Sequence, residues 1–250
     1  MNMQKAVVII PAYNEEKTVG HIVKGVAGVL PQAEIIVIDD GSDDTTSDVA
    51  AQAGATVIKL PYNAGYGIAL QTGYIYAAGR RADYCLQLDA DGQHTPDGLP
   101  AIYDELKKGG ADVVIGARHF NRDGSGYRAS LPRMLGIRFF AFLCSVVIKE
   151  KITDSTSGFI GFSRKTLDFL VSDYFPVDYP DADVIIMMNR IGYRIKEVFV
   201  VMTKGTGKSM HKGLNPCWYI FKMLLSIARA AIIPAAFYKL EVQSDSVPEK

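Results

Sequence analysis

The strongest constraint on the fold is a regular alternation of short apolar runs with longer segments of helical periodicity. The runs are rich in Val and Ile and are bounded by Pro, Gly or Asp, as buried strands are. The clearest runs are Ala6–Ile10, Glu34–Asp39, Thr56–Leu60, Tyr84–Leu88 and Val113–Gly116. Between them, apolar residues recur at the spacing of one helix face. This alternation predicts an α/β fold with a mostly parallel sheet that is flanked by helices on both faces.

The composition narrows the class of protein. The chain has 250 residues, of which 48% are hydrophobic and 22% charged, as in an ordinary folded domain. Lys plus Arg number 27 and Asp plus Glu number 27, and this balance disfavours nucleic-acid binding. Cys85, Cys144 and Cys217 form no CxxC pair, which predicts buried thiols in a reducing compartment. We expect a cytoplasmic protein, since Ala6–Ile10 is too short for a signal-peptide core or a membrane span.

The second half of the chain is less regular. The sequence predicts a polar loop over 121–133, an apolar helix over 132–148, a helix over 181–191 and a strand over 194–201. The segment Asn215–Tyr238 is apolar and aromatic, with Lys222 and Arg229 on one helical face. It has two interpretations: an amphipathic helix on the inner membrane face, or a helix that packs on the domain or in a dimer interface.

Acidic residues fill the loops that follow three of the predicted strands. These loops read PAYNEE at 11–16, DDGSDD at 39–44 and DADGQH at 89–94. The carboxyl ends of parallel strands meet at one edge of the sheet, where such folds bind ligands. Three acidic loops at one edge would repel each other unless a cation or a set of donors lay among them. We therefore expect the functional site at this edge.

The pair Asp89 and Asp91 is the first candidate for metal binding. Two carboxylates in one strand-terminal loop can reach one divalent cation, and oxygen ligands favour Mg²⁺ or Mn²⁺ over zinc. The alternative is a turn in which these side chains cap a helix that begins near Pro96. A calcium-binding EF-hand loop is excluded, because it needs Gly at its sixth position and Gly92 is the fourth residue here.

Asp40, at the end of the second predicted strand, is a candidate for nucleotide binding. An acidic residue at this place can accept hydrogen bonds from a base or a ribose. The alternative is that Asp39 or Asp43 of the same loop caps the helix that begins near Thr45. Among the four histidines, only His94 lies in one of the acidic loops.

The motifs become specific when they are taken in order. PAYNEE, IDDGSDDTT, NAGYGIALQTGY, LDADGQH and GAR follow one another in a way that strongly resembles glycosyltransferase family 2, over roughly residues 5–205. The resemblance implies the GT-A nucleotide-diphospho-sugar transferase fold over residues 1–210, with a nucleotide-sugar half at 1–118 and an acceptor half at 119–210. Residues 211–250 would form a C-terminal amphipathic helix and a polar tail.

Within the family, two groups are similar to this chain. The stretch DSTSGFIGFSRKTLDFL and the general plan are similar to the dolichyl- and polyprenyl-phosphate sugar synthases, and they equally resemble bacterial transferases of cell-surface polysaccharide pathways. The resemblance implies a nucleotide-sugar donor. Pro11, Ala12 and Tyr13 would line the base, and Glu15 would approach the nucleotide. Asp40 would accept hydrogen bonds from the uracil or guanine edge.

The resemblance also implies a metal site with Mg²⁺ or Mn²⁺ as the cofactor. Asp89 would lie near the ribose and the metal, and Asp91 would bind the metal directly. Gln93 would add a metal contact, as in polyprenyl-phosphate members whose loop is similar to DADGQH. Arg118 would face the diphosphate or the acceptor.

The chain departs from the family pattern at the catalytic base and at one cationic loop. The base position falls on Asp181, with Asp183 two residues on, but the usual preceding Glu is Pro180 here. The alternative role of Asp181 is the N-cap of the following helix, with Asp183 in its first turn. The Arg and Lys that polyprenyl-phosphate synthases carry after the last strand correspond to Lys204 and Met210. Lys204 would hold the diphosphate as a point charge.

The expected reaction is an in-line displacement, with inversion, that moves a sugar from a UDP- or GDP-sugar to a polyprenyl-phosphate or cell-envelope glycan acceptor. Asp181 would deprotonate a hydroxyl acceptor, whereas a phosphate acceptor needs no base. A membrane contact through residues 215–238 would place the protein on the inner face of the cell membrane, and a homo-oligomer is compatible with the same segment. The rival classes are a degenerate nucleotide-sugar binding protein and a sugar-1-phosphate nucleotidyltransferase, whose Gly- and Arg-rich first loop is unlike PAYNEE.

Overall fold

The strands and helices that the sequence predicts occur in the predicted order in a computed structural model, which describes residues 4–118, 131–177, 180–201, 216–234 and 236–237. The strands are β1 (Ala6–Ala12), β2 (Glu34–Asp39), β3 (Thr56–Lys59), β4 (Tyr84–Gln87), β5 (Val113–Arg118), β6 (Ile160–Ser163) and β7 (Ile195–Val200). The α-helices are α1 (Val19–Val29), α2 (Thr46–Gln52), α3 (Tyr66–Gly79), α4 (Leu99–Lys107), α5 (Leu131–Ile148), α6 (Arg164–Leu170), α7 (Ala182–Ile191) and α8 (Pro216–Ile232).

The strands form one sheet in the order β3-β2-β1-β4-β6-β5-β7. Neighbouring strands run parallel except at β6, which is antiparallel to both β4 and β5. The predicted mostly parallel sheet is therefore confirmed. The direction of β6 was not predicted, because a four-residue apolar run reads the same in either direction.

The central strands are buried on both faces, which explains their continuous apolar sequences. All of β1 is buried, and its alternate side chains enter the two halves of the core. Val7 and Ile9 pack with α3, α5, α6, α7 and α8, whereas Val8 and Ile10 pack with α1, α2 and α4. Each buried side chain of this kind stabilises the fold by about 1.5–3 kcal/mol relative to exposure.

Parallel pairing brings the carboxyl ends of β1, β2 and β4 to one edge of the sheet. Ala12 pairs with Asp39 of β2, and Ile9 pairs with Gln87 of β4. The amide of Asp40 extends this ladder by donating to the carbonyl of Ala12 at 2.9 Å. The three acidic loops therefore lie side by side, as the sequence predicts.

The predicted helices and strand of the second half are also present, with shifted ends. Helix α5 begins at Leu131, inside the predicted polar loop, whose residues 121–130 lie outside the described part of the chain. Helix α8 ends at Ile232, two residues before Pro234, whose ring cannot continue it. Both α5 and α8 pack against α7. Within the described ranges, no helix is both long enough and apolar enough to cross a membrane.

The structure tests the predictions about the cysteines and the domain divisions only in part. Cys85 and Cys144 are buried free thiols, as expected, whereas the side chain of Cys217 lies outside the described residues. The proposed divisions after residues 118 and 210 fall at or within stretches that the structure does not describe, so they stay predictions.

Candidate active site

Backbone amides of the loop after β1 donate hydrogen bonds to side chains of the loop after β2 and of the first residue of α2. The amide of Asn14 donates to Oγ of Ser42 at 2.9 Å, and the amide of Glu15 donates to Oγ1 of Thr46 at 2.8 Å. Asn14 has a φ of 56°, in the left-handed region that Asn tolerates better than most residues. The two loops therefore form one connected wall at the edge of the sheet.

The predicted base-contacting residues lie at the start of this wall. Pro11 and Ala12 are buried at the end of β1, and Tyr13 is half-buried just beyond it. Glu15 is also half-buried. Burial, and after it the charge of Asp91, raises the pKa of the Glu15 carboxyl. Glu15 is therefore within electrostatic reach of the predicted metal-binding pair.

Asp40 joins β2 to the segment that begins α3. One carboxylate oxygen accepts from the amide of Ala64 at 2.7 Å and the other from the amide of Gly65 at 3.0 Å. Gly65 has a φ of 103°, which a residue with a Cβ rarely adopts. Burial raises the pKa of Asp40, and the two amides counteract that shift. This structural role was not predicted, and a contact of Asp40 with a nucleobase remains a prediction.

The start of α2 is capped by Asp44, so the alternative that Asp39 or Asp43 caps it is wrong. The amide of Thr46 donates to Oδ1 of Asp44 at 2.9 Å. Asp39 instead accepts from the amide of Ser42 at 2.8 Å within its own loop. The spacing of Asp44, the fourth aspartate of DDGSDD, could have suggested this role, because Asp44 lies two residues before Thr46, the first residue of α2.

Asp89 is held by a chain of hydrogen bonds from the core. The hydroxyl of Tyr66 donates to Oδ1 of Asp89 at 2.8 Å, and Nε2 of Gln87 donates to the Tyr66 hydroxyl at 3.0 Å. Gln87 in turn accepts from the hydroxyl of Tyr74, a buried residue of α3. Sequence reasoning missed this chain, because nothing in the spacing of Tyr66 points to Asp89.

The carboxylate of Asp89 lies in a crowded and negatively charged place. Burial, and after it the charge of Asp91, raises the pKa of Asp89 to about 7, and the charge of Asp181 acts in the same direction. Gly158, which precedes β6, closes the other side, since a Cβ at this position would lie 2.3 Å from Oδ2 of Asp89. Only a glycine leaves room for the carboxylate.

Gln93 is brought onto Asp91 by two hydrogen bonds. Its amide donates to Oδ1 of Asp91 at 2.8 Å, and its Nε2 donates to Oδ2 at 2.6 Å. The 3₁₀ turn that follows begins at Pro96 and has no side-chain cap at its start. Asp91 accepts both of these hydrogen bonds from Gln93, and a cap of this turn by Asp89 or Asp91 stays an alternative.

His94 lies behind this pair. It is 4% exposed, its ring centroid is 5.2 Å from that of Phe159, and its Nδ1 is 4.0 Å from Oδ2 of Asp89. Burial, and after it the charge of Arg118, lowers the pKa of His94 to about 3. His94 is therefore a neutral ring in the wall of the site.

Arg118 ends β5 and is bound by the loop before β6. Its Nε lies 2.7 Å from Oδ2 of Asp154, and its Nη2 donates to the carbonyl of Thr156 at 2.7 Å. Both members of the ion pair are buried. The Arg118 charge still reaches the site, because it opposes the rise in the pKa of Asp89. The predicted contact of Arg118 with a diphosphate or an acceptor remains a prediction.

Asp181 occupies the N-cap position of α7, as the cap alternative predicted, but its side chain makes no capping hydrogen bond. Its charge instead raises the pKa of both Asp89 and Tyr66, after the larger effect of burial on each. The structure therefore brings Asp181 to the acidic site. Lys204 and Met210 lie outside the described residues.

Comparisons with known proteins agree with this architecture. The family model of Glycosyl transferase family 2 matches residues 7–170. An uncharacterized protein of Methanocaldococcus jannaschii is 32% identical over 221 residues, which cover 86% of this chain and 88% of that protein. Polyprenol monophosphomannose synthase of Mycolicibacterium smegmatis is 31% identical over 235 residues, which cover 88% of this chain and 86% of that protein.

Solved structures share the fold. Glucosyl-3-phosphoglycerate synthase from Mycobacterium tuberculosis, in complex with Mn²⁺ and uridine-diphosphate-glucose, aligns with a TM-score of 0.67 at 22% identity. The alignment covers 90% of this chain and 79% of that chain. This likeness supports the arrangement of the sheet and its helices.

Proposed function

The chain belongs to glycosyltransferase family 2, and on this premise we propose that it moves a sugar, with inversion, from a UDP- or GDP-sugar to a polyprenyl-phosphate or cell-envelope glycan acceptor. One observation carries the proposal: four carboxylates, those of Glu15, Asp89, Asp91 and Asp181, interact at the edge where three strands end. Such a concentration of negative charge suits the binding of a cation together with an anionic diphosphate.

We propose Mg²⁺ or Mn²⁺ as the cofactor, with Asp89 and Asp91 as its ligands and Gln93 beside them. The oxygen donors fit these ions, and burial, followed by the charge of Asp91, raises the pKa of Asp89 to about 7, a shift that a bound cation would oppose. Among the described residues, no group of three or more His, Cys, Asp and Glu side chains could hold a metal ion. Diphosphate oxygens of the donor would therefore complete the coordination, as is common for Mg²⁺. The bound ion would neutralise the charge that forms on the leaving diphosphate.

The nucleotide would lie against the wall formed by the first two acidic loops. Pro11, Ala12 and Tyr13 would contact the base, Glu15 would approach the nucleotide, and Asp40 would act from the adjoining strand end. The hydrogen bonds that join these loops would hold the wall in place before the donor arrives. The Mn²⁺ and uridine-diphosphate-glucose in the mycobacterial structure support a donor of this class.

The acceptor would approach from the side of Asp181. A hydroxyl acceptor would lose its proton to this carboxylate, whereas a phosphate acceptor is already an anion. The name of the relative polyprenol monophosphomannose synthase supports a lipid-phosphate acceptor. Arg118 would help the leaving diphosphate through its charge, since Asp154 and Thr156 already hold its guanidinium. Lys204 would add a second positive charge.

The outer face of α8 would rest on an anionic lipid surface. Its inner face packs on α7, whereas Phe221, Leu224 and Leu225 are exposed on the outer side. The sequence of α8 contains Lys222 and Arg229 but no Asp or Glu, a charge pattern that suits anionic headgroups. Sedimentation with anionic and neutral vesicles tests this contact. Failure to bind anionic vesicles would contradict it, and a concentration-dependent dimer would assign the face to a homo-oligomer.

A thermal-shift experiment tests the donor site. UDP and GDP are added with Mn²⁺, Mg²⁺ or EDTA to the wild type, to Asp91→Ala and to the matched control Asp104→Ala, whose side chain is 65% exposed. At a hundred times its dissociation constant, the correct nucleotide should stabilise the wild type by about 2.7 kcal/mol. We expect this stabilisation to disappear with EDTA and in Asp91→Ala, and to persist in Asp104→Ala.

A transfer assay then tests the reaction. The sugar nucleotide of the selected base is incubated with polyprenyl phosphate, and the lipid-linked product is measured. Metal-dependent transfer that Asp91→Ala abolishes is the expected result. Nucleotide binding without transfer to any acceptor would favour a degenerate binding protein, and transfer that survives Asp91→Ala would contradict the proposed metal site.

A further inference from the structure

Asp183 is a buried carboxylate in the first turn of α7 that the proposed mechanism does not use. It is 2% exposed. Its Oδ1 accepts from the backbone amide of Asp181 at 3.1 Å and from that of Val184 at 2.9 Å. The carboxylate thus fastens the backbone of Asp181 to the start of the helix.

The other oxygen of Asp183 connects α7 to α8. Oδ2 accepts a hydrogen bond from Oγ of Ser226, which is 43 residues further along the chain. A second connection lies at the opposite end of α7, where Arg190 donates to the carbonyls of Ala231 at 2.6 Å and Ile233 at 3.1 Å. Helix α8 is therefore fastened to α7 near both ends of α7.

Ser226 stabilises the carboxylate that orients Asp181. Burial raises the pKa of Asp183, and the hydrogen bonds from Ser226 and the backbone counteract that shift. A carboxylate at this depth needs donors on both oxygens. Without Ser226, Oδ2 loses this donor, so the side chain gains freedom to rotate away from the amide of Asp181.

We propose that Asp183 is a positioning residue for the acceptor site and that α8 takes part in this positioning through Ser226. The inference rests on the proposed function, in which Asp181 lies against the acceptor. One carboxylate links the backbone of Asp181 to α8, so the seating of α8 influences the position of Asp181. The residues predicted to contact the nucleoside and the metal lie at or beyond the carboxyl ends of β1, β2 and β4 and do not use this connection.

Kinetics of Ser226→Ala test the proposal. We expect kcat/KM for the acceptor to fall about tenfold, because small displacements of a reacting group are costly, while the affinity for the donor nucleotide is unchanged. Ser226→Thr keeps the hydroxyl and should restore the rate. The matched control is Ser172→Ala, which removes a buried hydroxyl that donates to the carbonyl of Phe169 at 2.7 Å, outside the α7–α8 contact.

Hydrogen exchange supplies a readout that does not depend on activity. The backbone amides of residues 181–184 should exchange faster in Ser226→Ala than in the wild type or in Ser172→Ala. An exchange rate in this segment that matches the control would overturn the proposal, and so would an equal loss of donor affinity and acceptor turnover. A wild type that shows no transfer would contradict the proposed function instead, and the exchange rates would still decide the role of Asp183.

Discussion

Replacing Gly158 with Ala should displace the carboxylate of Asp89. The added Cβ would lie 2.3 Å from Oδ2 and 2.9 Å from Cγ of Asp89, whereas ordinary contacts begin at about 3.4 Å. The two groups must therefore separate by roughly 1 Å, since a packed interior leaves little free volume. On the opposite side, the hydroxyl of Tyr66 holds Oδ1, so the carboxylate cannot move without stretching that hydrogen bond.

The magnitude follows from this displacement. A misplacement of about 1 Å at a reacting centre can lower the rate about 100-fold, which corresponds to about 2.7 kcal/mol of transition-state free energy. Overpacking and the strained Tyr66 hydrogen bond should also lower the free energy of unfolding, by about 1–3 kcal/mol. Metal-dependent nucleotide binding should weaken together with the rate, because Asp89 is a proposed metal ligand.

The assay combines urea unfolding, the nucleotide thermal shift with Mn²⁺, and sugar transfer. Gly28→Ala is the matched control, because Gly28 lies within α1 and a Cβ there meets no atom within 4 Å. This control should gain about 0.5–1 kcal/mol of stability and keep full activity. A folded Gly158→Ala variant with wild-type nucleotide binding and transfer would refute the inferred contact between Gly158 and Asp89.

Three further changes test other contacts. Asp154→Ala leaves the buried guanidinium of Arg118 without its ion-pair partner and should lower the free energy of unfolding by about 3–5 kcal/mol, as measured by urea unfolding. A loss of less than about 1 kcal/mol would contradict the pairing. Tyr66→Phe removes the hydroxyl that donates to Asp89 and should weaken the binding of the nucleotide with Mn²⁺. A binding titration measures this change, and an unchanged affinity would show that the hydrogen bond is dispensable. Burial would raise the pKa of Asp112, but the hydrogen bonds and charge of Arg194 outweigh this effect and lower the pKa. The Asp112–Arg194 pair therefore stabilises the fold fully above the ordinary pKa of an Asp, about 4, and this stabilisation is lost as the pH falls through the lowered pKa. Because Arg194 is half exposed, Asp112→Asn should lower the free energy of unfolding by only about 1 kcal/mol at neutral pH, and by less below pH about 4. Urea unfolding of the wild type and the variant across this pH range tests the prediction. A difference in unfolding free energy that grows in acid would contradict it.

Local sequence patterns were sufficient to predict the elements and the edge of the sheet that carries the site. The Val- and Ile-rich runs predicted β1 to β5 to within two residues at each end, because continuous apolar sequence is the signature of strands buried on both faces. Parallel pairing then required the acidic loops to converge, and the order of the motifs indicated the family. None of these inferences depends on which distant side chains touch.

The partners of the site residues were not predictable in this way. The sequence predicted a contact between Asp40 and a nucleobase, but it did not predict that the carboxylate of Asp40 accepts hydrogen bonds from the amides of Ala64 and Gly65. It gave a helix cap as the alternative role of Asp181, whereas the side chain of Asp183 accepts the hydrogen bonds at the start of α7. These choices depend on side-chain directions within a loop, which residue spacing does not specify.

By itself, therefore, the sequence determined the α/β class, the order of the elements and the acidic edge, because hydrophobic periodicity and turn residues act locally along the chain. Only the tertiary structure decided that β6 runs antiparallel between β4 and β5, that Gly158 and Tyr66 enclose Asp89, and that Ser226 reaches Asp183. These contacts join residues far apart in the chain. They arise because close packing selects one arrangement of neighbouring elements, and periodicity carries no information about which side chains then meet.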